Sequence, residues 1–321
     1  MKSTETIDEL KGFQKLPTMT TVRKIPGPGE LSEHQLERQE MRDNSSTFKR
    51  IPHGKWRGLK NGRFMMICVF LILTSGDTAI SDEGWGSIKG KISFEGSPPP
   101  VTPIEITRDE EVCGKFGLVD ESLVVHPDSR GIRYIAIWIE SRDKIPVHPD
   151  LQATSKKLAE IDNKDCRFEP HMLTLRTKEP LLLKNSDPVA HNAAIYARRN
   201  TPSSEVIAAN QPSKKSFPKA ELMPVRVDCS IHSWMKAWIL ILDHPYAAIT
   251  NEHGEFSIKQ IPPGKWKFRF WHERPQWIKQ LKASGVATPL EKGAWEITIT
   301  ADEELDLGEL TMSPEQFSGS K

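Results

Sequence analysis

The chain has 321 residues, 24 of them proline and 20 glycine, and 37% are hydrophobic. Its 44 Lys and Arg against 43 Asp and Glu leave a formal charge of +1, without the basic excess that general nucleic-acid binding needs. No apolar run reaches the roughly 20 residues of a spanning helix, which excludes a polytopic membrane protein, and four cysteines are too few for a disulfide-built scaffold.

Residues 1–63 are polar, charged and broken by Pro26-Gly27-Pro28-Gly29, with no helix or strand period. Such a segment buries too little apolar area to offset its ordering entropy, so a disordered extension is expected. Residues 64–81 open on the apolar run Phe64 to Thr74, preceded by Lys55, Arg57, Lys60 and Arg63 and followed by small residues at Ala79 and Ser81. That order is the pattern of a secretory signal peptide. Its late position has two readings: a start assigned too far upstream, with Met41 or Met65 as the true start, or an uncleaved membrane tether. Either way the sequence predicts an exported protein, periplasmic or extracellular.

From residue 84 onward the apolar pattern has period two between turn signals, and no long amphipathic helix is evident. Ile88, Ile92 and Phe94 mark a first strand before Gly96-Ser97-Pro98. Tyr134 to Ile139 (YIAIWI) and Trp238 to Leu242 (WILIL) are nearly all apolar and read as strands buried on both faces. Met172 to Arg176 alternates, and Leu181 to Leu183 leads into a turn at Asn185-Ser186-Asp187-Pro188. The stretch Leu151 to Glu160 reads equally as a helical turn or a loop. Beyond Asp243, Phe256 to Lys259, Trp266 to Phe270 and Trp295 to Ile299 alternate between turns at Asn251 to Gly254 and Pro262-Pro263-Gly264. The pattern predicts an all-β protein of sandwich or barrel type.

The chemistry concentrates in Asp228 to Met235 (DCSIHSWM), which sets Cys229, His232 and Met235 three residues apart. A thiolate, an imidazole and a thioether on one loop are soft-to-borderline donors that favour copper over magnesium, calcium or manganese. A trigonal Cys and two His with a distant Met is an electron-transfer copper geometry, and His191, just past a strand and turn, supplies the second imidazole. Zinc is the chemical competitor, since Cys and two His suit it and Met does not.

With these residues assembled, the chain resembles the cupredoxins, the plastocyanin and amicyanin family of blue copper proteins. The likeness rests on Lys184-Asn185 leading to His191-Asn192, and on the short Cys229, His232, Met235 loop. It implies a Greek-key sandwich over 82–243 and one type 1 copper per chain, with His191, Cys229, His232 and Met235 as ligands. It also implies that Asn192 braces the two ligand loops near the thiolate. Where the family often has proline between cysteine and histidine, Ile231 keeps an N–H; aimed at the Cys229 sulfur, it would stabilise the thiolate and raise the reduction potential. Residues 244–314 resemble a carboxypeptidase regulatory-like β module, which strand 86–96 would complete if the module is discontinuous. The combination is similar to exported methylamine-utilisation-like proteins.

The resemblance implies a carrier of single electrons between redox partners such as a cytochrome or a dehydrogenase, and not an enzyme. His232 would be the electron port, with Trp234 either beside it in a docking patch or in the core. No histidine adjoins Cys229, whose neighbours are Asp228 and Ser230, so the link to a second copper used by multicopper oxidases and nitrite reductases is missing. A purple binuclear centre would need a cysteine where Ser233 stands. With Cys68 in the signal and Cys229 assigned, Cys113 and Cys166 most simply pair as a disulfide in an oxidising compartment; two free thiols are the alternative. His126 and His171 read as exposed polar residues, and His272 as the end of a strand with room for a metal or proton role. The competing functional reading is an exported β-rich protein that binds carbohydrate or protein, its metal structural or stored.

Overall fold

The computed structural model describes residues 84–152 and 158–318. The expected extension 1–63 and signal 64–81 lie outside the described residues. No helix among the described residues is long and apolar enough to cross a membrane.

The described chain is all-β. Strands β1 (Gly86–Phe94) and β2 (Ala136–Glu140) come first, separated by a long connection holding the one-turn helix α1 (Glu110–Cys113). A run of strands from β3 to β11 follows: β3 (Ala159–Lys164), β4 (Arg167–Glu169), β5 (Met172–Arg176), β6 (Pro180–Asn185), β7 (His191–Ile195), β8 (Ser203–Ile207), β9 (Ser213–Ser216), β10 (Val225–Asp228) and β11 (Lys236–Leu242). These form two sheets, ordered β4-β3-β6-β9 and β5-β11-β10-β7-β8. Leu181 and Leu183 of β6, Leu173 and Leu175 of β5, Val225 and Val227 of β10, and Ile239 and Ile241 of β11 fill the core of this central sandwich. Their alternation is the period two of the sequence turned into one buried face per strand.

The remaining strands are β12 (Ala247–Ile249), β13 (Glu255–Ile261), β14 (Gly264–His272), β15 (Gln276–Trp277), β16 (Gln280–Ala283), β17 (Val286–Pro289), β18 (Ala294–Ile299) and β19 (Glu304–Met312). They take β1 and β2 into a second, composite sandwich. One sheet runs β13-β1-β19-β16-β17; the other runs β12-β2-β14-β15, with β18 also on β14. Thus β1 pairs antiparallel with β13 and parallel with β19. Gly254, at φ +78°, closes the turn into β13, where a Cβ would collide with the Ile92 carbonyl oxygen.

One expectation is corrected by this pairing. Tyr134 to Ile139, read as part of an 82–243 unit, hydrogen-bonds as β2 to β12 and β14 of the composite sandwich. The physical reason is its burial on both faces. Ile137 and Ile139 enter the composite core with Phe268, Phe270 and Ile297, while Ala136 and Trp138 turn the other way. There they meet Leu240 and Leu242 of β11, whose own Ile239 and Ile241 face the central core. The two all-apolar runs therefore form the seam between the sandwiches, and one run belongs to each.

Two histidines also depart from the sequence reading. His171 is buried, its ring 4.8 Å from that of Tyr134. His126 is half-buried, and its Nδ1 accepts the backbone N–H groups of Asp128 and Ser129, each at 3.2 Å. His272 is buried at the end of β14, its Nδ1 accepting the Arg274 N–H at 3.3 Å and its ring edge-on to Phe317.

Burial pushes the His272 pKa down to about 4. The unfolded chain takes up this proton near the ordinary value of 6.5, so the folded state loses stability as pH falls from about 6.5 towards 4. The full shift corresponds to about 3 kcal/mol. Thermal unfolding followed across that window should show a smaller loss for His272→Gln than for the native chain; equal losses would remove His272 from the acid response.

Candidate metal centre

Two connections at one end of the central sandwich build the site. Asn185 ends β6 and holds the turn that follows: its Nδ2 donates to the carbonyls of Val189 and Ile207, each at 2.8 Å, and its Oδ1 accepts the Asp187 N–H at 3.0 Å. His191 then opens β7. On the other connection, Cys229 follows β10 and Met235 precedes β11. The Cys229 N–H donates to the Met235 carbonyl at 3.2 Å and the Met235 N–H to the His232 carbonyl at 2.9 Å, closing a tight loop.

His191, Cys229 and His232 are buried, and their potential ligand atoms lie within 4.8 Å of one another. Met235 is buried in the same core as Cys229. The imidazole centroids of His191 and His232 are 4.6 Å apart. The Cys229 sulfur accepts the backbone N–H groups of Asn192 and His232, each at 3.3 Å, and lies 3.8 Å from His232 Nδ1. Asn192 ties the connections together: its Oδ1 accepts the Ser230 N–H at 3.4 Å and its Nδ2 donates to Ser204 Oγ and the Glu205 carbonyl.

Burial alone would push the Cys229 thiol up. The His191 imidazole and the N–H groups of Asn192, His232 and Ile231 outweigh it, so its pKa lies below the ordinary value. The sulfur is therefore held towards the thiolate, the form that binds metal. Burial would likewise lower His191, but Asp187 and the Cys229 sulfur raise it overall. His232 is lowered, chiefly by burial.

Two carboxylates decide how the imidazoles stand, and the sequence reading named neither as a partner of the site. Asp187 Oδ2 lies 2.9 Å from His191 Nε2 and also accepts the Cys166 N–H at 2.9 Å, while its Oδ1 accepts the Asp165 N–H at 2.8 Å. Asp109 Oδ2 lies 2.8 Å from His232 Nε2. With Nε2 engaged, the buried Nδ1 of His191 has no hydrogen-bond partner. Asp187 carried a usable signal, four residues before His191 in the same turn. Asp109 carried none, standing 123 residues from His232 at the start of α1.

The Asp109 contact overturns the expectation of His232 as a surface port. His232 is wholly buried, and the exposed Asp109 covers its outer edge. The covering segment is fastened by the Cys113–Cys166 disulfide, as the sequence predicted. Asp109 accepts the Cys113 N–H at 2.8 Å through its main-chain carbonyl. Trp234 is half-buried and belongs to this fastening: its indole N–H donates to the Cys166 carbonyl at 3.0 Å, and its ring packs with Leu118 and the two half-cystines. Cys166 also lies with Asp187 and His191 in a second cluster of metal-capable residues, but its sulfur is committed to the disulfide.

No protein-family model matches the chain, and no curated protein matches it. Among solved structures it is similar to amicyanin from Paracoccus versutus, at 16% identity over 33% of this chain and 96% of that one, with a TM-score of 0.24. A purple cupredoxin from Nitrosopumilus maritimus matches at 17% identity over 26% of this chain and 98% of its own, with a TM-score of 0.22. A Cu-containing nitrite reductase from Thermus scotoductus SA-01 matches at 19% identity over 30% of this chain, with a TM-score of 0.25; the match spans a quarter of that enzyme's length.

The disulfide closes a loop with a sequence separation of 53, worth about 4 kcal/mol in the loop-entropy treatment. A Cys113→Ser/Cys166→Ser double variant should lose about that much unfolding free energy. It should also open His232 to diethyl pyrocarbonate, located by peptide mass mapping. Continued protection of His232 would show that the Asp109 cover holds without the bridge.

Proposed function

We propose that the chain carries single electrons through one type 1 copper ion held by His191, Cys229, His232 and Met235. The observation that carries this reading is the buried thiolate-favouring sulfur set between two imidazoles whose Nε2 atoms are both tied to carboxylates. That arrangement leaves Nδ1 of each ring for a metal, and the partnerless His191 Nδ1 is the atom a metal bond would satisfy. The donor set, one thiolate with two imidazoles and a thioether, suits copper better than the oxygen-seeking cations. When bound, the ion would alternate between Cu(II) and Cu(I), one electron at a time.

The rest of the work falls to the protein. The strand-anchored connections of His191 and Cys229, braced by Asn192, keep the ligands in place in either redox state. Burial of all four side chains excludes water, and four protein donors leave no easy position for a substrate, which supports a carrier rather than an enzyme. A redox protein such as a cytochrome or a dehydrogenase would dock over Trp234 and the Asp109 cover. An exported location, periplasmic or extracellular, is proposed as well, and the Cys113–Cys166 disulfide supports it, since such bonds persist in oxidising compartments.

Adding Cu(II) to the metal-free full chain should produce an intense visible sulfur-to-copper charge-transfer band that a reductant bleaches reversibly and that Cys229→Ser lacks. A chain that takes up only zinc, or copper without the band, would overturn the reading. The Ile231 N–H is among the donors that lower the Cys229 pKa. Ile231→Pro removes it, leaves the sulfur a stronger donor to Cu(II), and should lower the midpoint potential in a redox titration; an unchanged or higher potential would mean this N–H does not tune the site.

A further inference from the structure

His232 takes its Nε2 partner from outside the central sandwich. Asp109 stands in the connection between β1 and β2, 123 residues away, and its Oδ2 lies 2.8 Å from Nε2. Two features of Asp109 mark this contact as built. It occupies the position before α1 where an aspartate carboxylate ordinarily accepts a main-chain N–H of the first helical turn. Here the side chain makes no such cap; the main-chain carbonyl takes the Val112 and Cys113 N–H groups and the carboxylate turns to the imidazole. Its backbone also sits at φ +51° and ψ +41°, the left-handed region that residues other than glycine rarely adopt and that aspartate tolerates better than most.

The two carboxylates at the site are not equivalent. Asp187 is buried, and its charge is divided between His191 and the N–H groups of Asp165 and Cys166. Among the described residues, the Asp109 side chain has no hydrogen bond or ion pair but the one to His232. It is 37% exposed, so water screens part of its charge, yet the ring it holds is wholly buried. A carboxylate on the far nitrogen of an imidazole makes the near nitrogen a stronger donor to a metal. The added negative charge also favours the more highly charged state of an ion bound there.

We propose that Asp109 is a positioning residue of the metal centre: it holds His232 with Nδ1 towards the Cys229 sulfur and biases the bound ion towards Cu(II). The redox part rests on the copper reading; the fixing of the ring does not.

The test compares the native full chain with three variants. Asp109→Asn removes the charge at nearly constant shape, Asp109→Ala removes the contact, and Glu111→Gln removes an exposed charge two residues on. Copper-loaded Asp109→Asn should keep the visible band, bind Cu(II) about tenfold more weakly and show a higher midpoint potential. With Cu(I) affinity unchanged, that tenfold corresponds to about 59 mV. Glu111→Gln should move the potential much less. In the metal-free chain, nitrogen-resolved NMR should show a slowly exchanging Nε2 proton on His232 that Asp109→Ala loses. An unchanged or lower potential in Asp109→Asn, or an equal shift in Glu111→Gln, would overturn the redox role. A proton absent from the native chain, or one that survives Asp109→Ala, would overturn the fixing of the ring. A native chain without the copper band would sink the copper reading and the redox role with it, while the metal-free proton still decides the ring.

Discussion

The site depends on how Nε2 of each histidine is occupied. An imidazole free to turn can offer either nitrogen to a metal; one fastened at Nε2 offers only Nδ1. Asp187 fastens His191 and Asp109 fastens His232, and the two carboxylates are not independent. Asp187 accepts the Cys166 N–H, the Asp109 carbonyl accepts the Cys113 N–H, and Cys113 is bonded to Cys166. The result is a closed circuit of side chains and main chain around the sulfur, with one covalent link in it. Each imidazole is oriented by a group that the same disulfide holds in place.

The second organising constraint is the seam between the sandwiches. A strand that buries one face can end a structure; one that buries both must have something packed on each side. β2 and β11 are of the second kind, and their outward faces meet through Trp138, Leu240 and Leu242, with Trp271 of β14 in the same cluster. The central sandwich therefore does not stand alone. The composite sandwich also brings Glu273 within 3.4 Å of His171 and Arg274 across to Asp120 at 3.2 Å.

How much of this was legible follows from how far apart the interacting residues lie along the chain. Cys229, His232 and Met235 share one loop and showed by their spacing, while His191 was picked out by its place just after a strand and turn. The all-β class was equally plain, because alternation is a property of consecutive residues. What escaped was long-range. The sequence showed that Tyr134 to Ile139 would be buried on both faces but not which sheet would take it. The burial of His171 and His232 depends on Glu273 and Asp109, and no local pattern announces a partner 123 residues away. The disulfide was readable only because so few cysteines remained to choose from.

The placement of β1 also carries a consequence for how the chain comes to be folded. Its strand partners are β13 and β19, so the first described strand waits for the last one. The central sandwich, by contrast, draws every strand from 159–242 and is inserted within the other. During synthesis all its strands are made while β1 and β2 still lack the later strands that cover their edges and isoleucines. Contacts this distant in sequence form slowly, and unpaired strand edges in the interim invite association between chains. Until β19 has been made, β1 lacks one of the two strands that cover its edges in the finished sandwich.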